Sequence, residues 1–221
     1  MKVKENKPAF LATLTNNELE NDFRNIFIQH AMVHHYEKNE FVFLSGEKPN
    51  SVYFIEKGLL KVCQATAEGD DVTFFLRKRG EIFGYAEVIL EENRSRLAQC
   101  LDQCTIRALS SDIFLKEVIA NKRMNQEILK ITNRRLLEQQ QMVELLISQP
   151  VSIRLAWLLK EMSIAQTGGY LIETTLTHSE LSNIIGCSRQ TVSEILSKWR
   201  EQGLISYDRK TIFIQDIYSI F

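Results

Sequence analysis

Little in this 221-residue chain would break or staple a fold: it has three prolines, nine glycines and four cysteines, and its charges nearly cancel at a net −1. With 44% apolar and 25% charged residues, so little Pro and Gly excludes the collagenous and disordered classes and leaves material for a core. Cys63, Cys100, Cys104 and Cys187 are too scattered for a disulfide framework and are expected as free thiols in a reducing compartment. No apolar run approaches the roughly 20 residues that span a bilayer, and the opening MKVKENKPAFLATLTNN has no apolar stretch of signal-peptide length. A cytoplasmic protein without a membrane partner is therefore expected. No global charge excess announces nucleic acid either. Residues 150 to 221 hold seven bases and seven acids, so any DNA-binding surface must be local.

The period of the apolar residues divides the chain. Residues 17 to 36 (NELENDFRNIFIQHAMVHHY) have helical spacing and predict an N-terminal helical cap, on which the adjacent His34 and His35 cannot both face one metal. From Phe41 to about Leu109 the pattern alternates, as in Phe41 and Phe43, Val52 and Phe54, Leu60 and Val62, Val72 and Phe74. Turn signals stand at Ser45-Gly46, Lys57-Gly58, Glu68-Gly69-Asp70 and Arg79-Gly80. Short strands with glycine turns predict an antiparallel sandwich or barrel. Cys100 and Cys104, four apart in a predicted strand, share a face and read as packing residues or, alternatively, a redox pair.

Ser111 to Gln149 contains no Gly or Pro, and Leu129, Thr132, Leu136, Gln139, Val143 and Leu146 recur at spacings of three and four. This heptad seam, with Ile128, Ile131, Leu137 and Met142 beside it, predicts a long helix with two contact faces, one for its own domain and one for a partner helix in a homodimer. Pro150 ends that helix and can start the next. The expected division is 1–110 as a β domain with a helical cap, 111–149 as a dimerisation helix, and 150–221 as a third unit.

In that third unit, residues 151 to 165 read as a helix and Tyr170 to Thr174 as a strand. Thr177-His178-Ser179-Glu180 sets an N-cap hydroxyl three residues before a carboxylate, ahead of Leu181, Ile184 and Ile185. Gly186-Cys187 supplies a turn, Ser188 caps a second helix, and Val192, Ile195, Leu196 and Trp199 form its apolar stripe. A hairpin from Leu204 to Ser206 and Thr211 to Ile214, turning at Asp208-Arg209-Lys210, completes a winged helix-turn-helix. Its exposed early positions, Arg189, Gln190, Ser193 and Glu194, would reach base edges in double-stranded DNA: Arg suits guanine O6 and N7, Gln adenine N6 and N7, Glu a cytosine amino group. Ser188, Lys198, Arg200 and His178 would lie nearer phosphates.

The stretch IIGCSRQTVSEILSKWREQGLI resembles the helix-turn-helix of the Crp/Fnr regulators, and the similarity extends from about Phe41 to Ile214, with Gly46, Gly58, Gly69, Gly80 and Gly84 at the turns of that family's sensor β-roll. The resemblance implies an α+β chain with an N-terminal double-stranded β-helix of cyclic-nucleotide-binding type, a long dimerisation helix and a C-terminal winged helix-turn-helix. It also implies a homodimer on a palindromic operator, a small-molecule effector, and RNA polymerase as a partner.

In cyclic-nucleotide members Phe-Gly-Glu, followed about ten residues later by Arg-Ser, forms a phosphate cassette. Here Phe83-Gly84-Tyr85-Ala86-Glu87 precedes Arg94-Ser95, so Arg94 and Ser95 match while Tyr85 stands at the carboxylate position. Glu87 replaces that carboxylate only in a rearranged loop. Gln139 and Gln140 on the long helix would face a purine, or form a polar layer in the seam. Cyclic AMP is thus a doubtful effector and the cofactor stays unassigned. The N-terminus lacks the cysteine cluster of iron-sulfur relatives, and no haem-ligand pattern occurs. A cupin-like enzyme is not expected, because Phe41 to Leu109 contains no histidine for a metal. The alternative from within the class is a regulatory module whose DNA binding is constitutive or controlled through its thiols.

Overall fold

The computed structural model describes residues 17–66, 71–173, 176–208 and 211–221. The expected turns at Glu68-Gly69-Asp70 and Arg209-Lys210, and Thr174 at the end of an expected strand, lie outside the described residues. Helix α1 (Asn17–His30) leads into strands β1 (Met32–Tyr36), β2 (Phe41–Phe43), β3 (Ser51–Lys57), β4 (Leu59–Ala65), β5 (Asp71–Lys78) and β6 (Ile82–Phe83). Helix α2 (Ala86–Leu90) and strands β7 (Leu97–Cys100) and β8 (Cys104–Ser110) follow, then α3 (Ser111–Phe114), a π-helical turn (Leu115–Ile119) and the long α4 (Lys122–Ser148). The chain closes with α5 (Val151–Met162), β9 (Ile164–Gln166), β10 (Gly169–Glu173), α6 (His178–Ile185), α7 (Arg189–Glu201), β11 (Ile205–Tyr207) and β12 (Thr211–Ile214).

The first eight strands make two antiparallel sheets, ordered β1-β8-β3-β6 and β2-β7-β4-β5. Their inner faces bury Phe43, Ile55, Leu60, Phe83, Ala98, Cys100, Cys104 and Ile106 between them, which is the β-roll. Alternation along β3 then serves a second layer: Ile55 points into the roll, while Val52 and Phe54 point outward to Phe23 and Phe27 of α1, Phe114 of α3 and Met124 and Ile128 of α4. Gly46, Gly58 and Gly80 take positive φ at the expected turns.

Three expectations are corrected here. The helix expected over residues 17 to 36 stops at His30, and Met32–Tyr36 pairs as an edge strand with Cys104–Ala108. On this strand His35 is exposed and His34 half-buried. Cys100 and Cys104 lie in two strands joined by a turn, not in one, although both thiols meet in the roll core. The single helix expected from Ser111 to Gln149 is interrupted at residues 120–121, where Asn121 accepts hydrogen bonds from the amides of Arg123 and Met124 and so caps a new helix. The segment before the break packs into the sensor core through Phe114 and Val118. Helix α4 ends as expected, because Pro150 forces Gln149 into an extended conformation (φ −114°, ψ 143°).

The C-terminal unit is the expected winged helix: α6 and α7 packed on α5, with a four-stranded sheet ordered β11-β12-β10-β9. Its core of Leu155, Leu158, Leu159, Leu181, Ile185, Val192, Leu196 and Trp199 is continuous with Leu76 of β5, Leu101 and Met142 of α4. The reading unit and the roll therefore share one hydrophobic cluster.

Candidate nucleic-acid interface and effector cavity

Local chemistry sets the helix-turn-helix. Thr177 Oγ1 accepts from the Glu180 amide at 3.2 Å while the Glu180 carboxylate accepts from the Thr177 amide, a reciprocal capping box. Gly186 ends α6 with a left-handed φ of +65°, and Ser188 then accepts from the Thr191 amide at 3.1 Å to open α7. This turn leaves Ser188, Arg189, Gln190, Glu194, Lys198 and Arg200 exposed on α7 or at its cap.

Two of the sequence-predicted DNA residues are turned inward. Half-buried Ser193 donates to the Arg189 carbonyl at 3.1 Å and meets His178 Nδ1 at 2.8 Å, joining α7 to the start of α6. The His178 ring sits edge-on to Tyr207 of the wing at 6.4 Å, and Arg200 lies over the same ring at 5.0 Å. Burial first, and the charge of Arg189 second, lower the His178 pKa, which favours its neutral form. His178 and Ser193 thus brace the two helices against the wing.

The second site is a cavity of about 310 Å³ between the roll and α4. Phe43, Val62, Phe75, Phe83, Ala86 and Leu136 supply apolar walls. Of the expected effector residues, Gly84, Tyr85, Glu87 and Gln139 line it, whereas Arg94, Ser95 and Gln140 do not. Arg94, 2% exposed, sits behind the wall: it donates to the carbonyls of Gly84 at 2.6 Å and Ser51 at 2.5 Å, pairs with Glu87 at 3.1 Å, and lies over the Phe43 ring at 4.4 Å. Ser95 reaches the other Glu87 oxygen at 3.4 Å, and Gln140 is exposed. Gly84 is needed for this packing: its φ is +71°, and a Cβ there would stand 3.1 Å from both Arg94 Nη1 and Tyr53 Cδ2.

Tyr85 reaches α4. Its hydroxyl meets Thr132 Oγ1 at 3.2 Å and accepts from Arg135 Nη1 at 3.1 Å, and Arg135 also donates to the Ile82 carbonyl at 2.8 Å. Sequence reasoning named Tyr85 but missed Arg135 and Arg77. Arg77 follows Phe75 by two along β5, and that alternation was the available signal, obscured by the charged run Arg77-Lys78-Arg79. Between Phe75 and Arg77, Leu76 faces the opposite way, into the cluster that carries α6 and α7.

Above this layer Arg77 and Arg135 approach buried Glu81 at 3.7 and 3.8 Å, with Glu138 of α4 beside them. Glu138 is 7% exposed, and its Oε1 has no hydrogen-bond partner among the described residues. Burial pushes its carboxyl from 4.5 to about 7, against the lowering pull of Arg77 and Arg135, while Glu81 adds a smaller raising effect. A folded pKa above the unfolded one makes the protonated form the stabilised one. Its contribution is complete below about pH 4.5 and is lost as pH rises through about 7. Glu138→Gln should therefore flatten the fall in melting temperature between pH 5 and 8, and an unchanged slope in thermal scans would assign that fall to other groups.

Burial raises the thiol of Cys63 to about 11, and a hydrogen bond to Cys104 together with burial raises that of Cys100. The reactive thiolate is disfavoured at both; the hydrogen bond with Cys100 lowers the pKa of Cys104, but that thiol is 2% exposed and closed off in the roll core, so thiol control is the less supported reading. Among the described residues no group of three or more His, Cys, Asp or Glu gathers for a metal, and no helix is long and apolar enough to cross a membrane.

A β-roll with a cavity against its long helix, continuous with a winged helix, defines a sensor joined to a DNA-reading head. Two family models match it: the cyclic nucleotide-binding domain over residues 33–121 and the Crp-like helix-turn-helix domain over residues 153–219. The global nitrogen regulator of Nostoc sp. is 26% identical over 205 residues, covering 86% of this chain and 91% of that protein. The cAMP-activated global transcriptional regulator CRP of Pasteurella multocida is 28% identical over 192 residues, covering 85% and 92%. Two solved structures share the fold with a TM-score of 0.77: FixK2 from Bradyrhizobium japonicum (18% identity, 86% of this chain and 95% of that one) and a CooA mutant from Carboxydothermus hydrogenoformans (19%, 96% and 97%). The chain belongs to the Crp/Fnr family of bacterial transcription regulators: it is a DNA-binding regulator with an effector-binding domain and not an enzyme.

Proposed function

We propose that this protein acts as a cytoplasmic homodimer that reads a palindromic operator, works with RNA polymerase, and is gated by a small molecule in the roll cavity. In this reading residues 1–110 sense, 111–149 join and dimerise, and 150–221 read DNA. The observation that carries the gating is strand β5, which lines the cavity with Phe75 and Arg77 and holds Leu76 in the cluster beneath α6 and α7. A ligand that binds better to one position of β5 than to another shifts the reading head by that difference in affinity, and by no more. Dimerisation is supported by α4. Met124, Ile128 and Met142 face the protein's own core, while Leu129, Leu137, Val143 and Ile147 are 52–82% exposed, a large apolar stripe for a helix to leave in water.

Arg189 and Gln190 are assigned to base edges, Glu194 to the same DNA-facing surface beside Gln190, and Ser188, Lys198 and Arg200 to the backbone. Ser193 and His178 act through the positions they brace. For the effector, Gly84, Tyr85, Glu87 and Gln139 are contact residues, with Arg94 and Ser95 behind Glu87 and Gln140 at the helix surface. Cyclic AMP does not fit this arrangement well, because Arg94 is engaged by Glu87 and two carbonyls and Tyr85 fills the carboxylate position. Titrating cyclic AMP by calorimetry should show weak binding or none, and operator affinity should not respond to it. Micromolar binding coupled to tighter operator binding would make this a cyclic-AMP receptor and overturn that expectation.

A further inference from the structure

Three exposed side chains of α7, Arg189, Gln190 and Glu194, stand at its reading end, but they are not three independent groups. Gln190 Nε2 donates to Glu194 Oε1 at 2.9 Å, one helical turn along. A carboxylate only accepts hydrogen bonds, so the amide end that faces it must be the NH2; a flipped amide would set two acceptors against each other. Of the two Nε2 protons, the one trans to Oε1 points back along the side chain and can serve Glu194 without using the outer edge of the amide. The other proton and Oε1 remain side by side as a donor and an acceptor, the complement of N7 and N6–H on an adenine edge. The two polar neighbours between them do not compete: Ser193 is turned to His178 and the Arg189 carbonyl, and Thr191 Oγ1 meets Ser188 Oγ at 2.8 Å.

Resting on the DNA-reading role proposed above, we infer that Glu194 is a positioning residue: it holds the Gln190 amide in the polarity that reads adenine and does not itself read cytosine. A polar pair at this spacing is weak on a solvated helix and gains strength where a DNA groove excludes water. The arrangement also has a cost of known sign. A carboxylate near phosphates repels all DNA alike, so the protein accepts weaker general binding in return for discrimination at one base pair.

Binding-site selection and quantitative binding at fixed salt, on the full-length wild type and its Gln190→Ala, Glu194→Ala, Glu194→Gln and doubly alanine-substituted variants, separate a clamp from a reader. The wild type should prefer adenine at one operator position by about tenfold or more, and Gln190→Ala should erase that preference. Glu194→Ala should reduce it at the same position to about threefold or less while raising affinity for unrelated DNA. Glu194→Gln, which keeps an acceptor oxygen, should retain the preference, and the double variant should match Gln190→Ala alone. Loss of preference at a different base pair in Glu194→Ala, or an adenine preference that it leaves untouched, overturns the inference while the DNA-reading role stands. A wild type that selects no sequence overturns both.

Discussion

Leu129→Glu combined with Val143→Glu should yield a folded monomer whose operator affinity is lower by about 100-fold or more. Both side chains lie on the exposed stripe of α4, at 55% and 52% exposure, and neither lines the cavity. Glutamate is a strong helix former, so α4 persists, but pairing would bury unpartnered carboxylates at the seam. Each protomer would then hold a single half-site, and the gain from tethering two reading heads would vanish. Sedimentation velocity and mobility-shift titration measure the two effects. A variant that stays dimeric would place the dimer contact elsewhere on the molecule.

Arg94→Met is expected to destabilise the sensor by about 3 kcal/mol or more, because removing one partner of a buried ion pair leaves the other uncompensated. Here the abandoned groups are the Glu87 carboxylate and the carbonyls of Gly84 and Ser51, all beside an arginine that is 2% exposed. The guanidinium also lies over Phe43, which itself packs in the roll core. Chemical denaturation measures the loss. If the variant were as stable as the wild type but failed to bind effector, Arg94 would be a ligand contact and not a strut behind the cavity wall.

The reading head was legible because its signals are local. Thr177, Glu180, Gly186 and Ser188 act on amides no more than a turn away, so the capping box and second cap can be read from a dozen consecutive residues. Strand β1 was not legible: it is a short, largely exposed edge strand whose partner β8 lies some seventy residues away, and Met32–Tyr36 continues the apolar pattern of the helix before it. The break ahead of α4 did leave a signal, Asn121, which caps helices well but lay hidden in a stretch without Gly or Pro. The cavity was half legible. Gly84, Tyr85 and Glu87 are consecutive or nearly so, but Arg135 and Thr132 reach Tyr85 only through a fold that brings together residues about fifty apart. Arg94 carried a matching motif residue, yet what a guanidinium binds depends on the acceptors around it, and those come from Ser51, Gly84 and Glu87.

The central claim is that two copies of this chain present two α7 helices, related by a two-fold axis, to one DNA site. DNase I or hydroxyl-radical footprinting on a selected genomic fragment tests it most directly. The account predicts an inverted-repeat site whose two half-sites are centred about one helical turn, ~34 Å, apart and protected at the same protein concentration. Protection of a single unpaired half-site would contradict it.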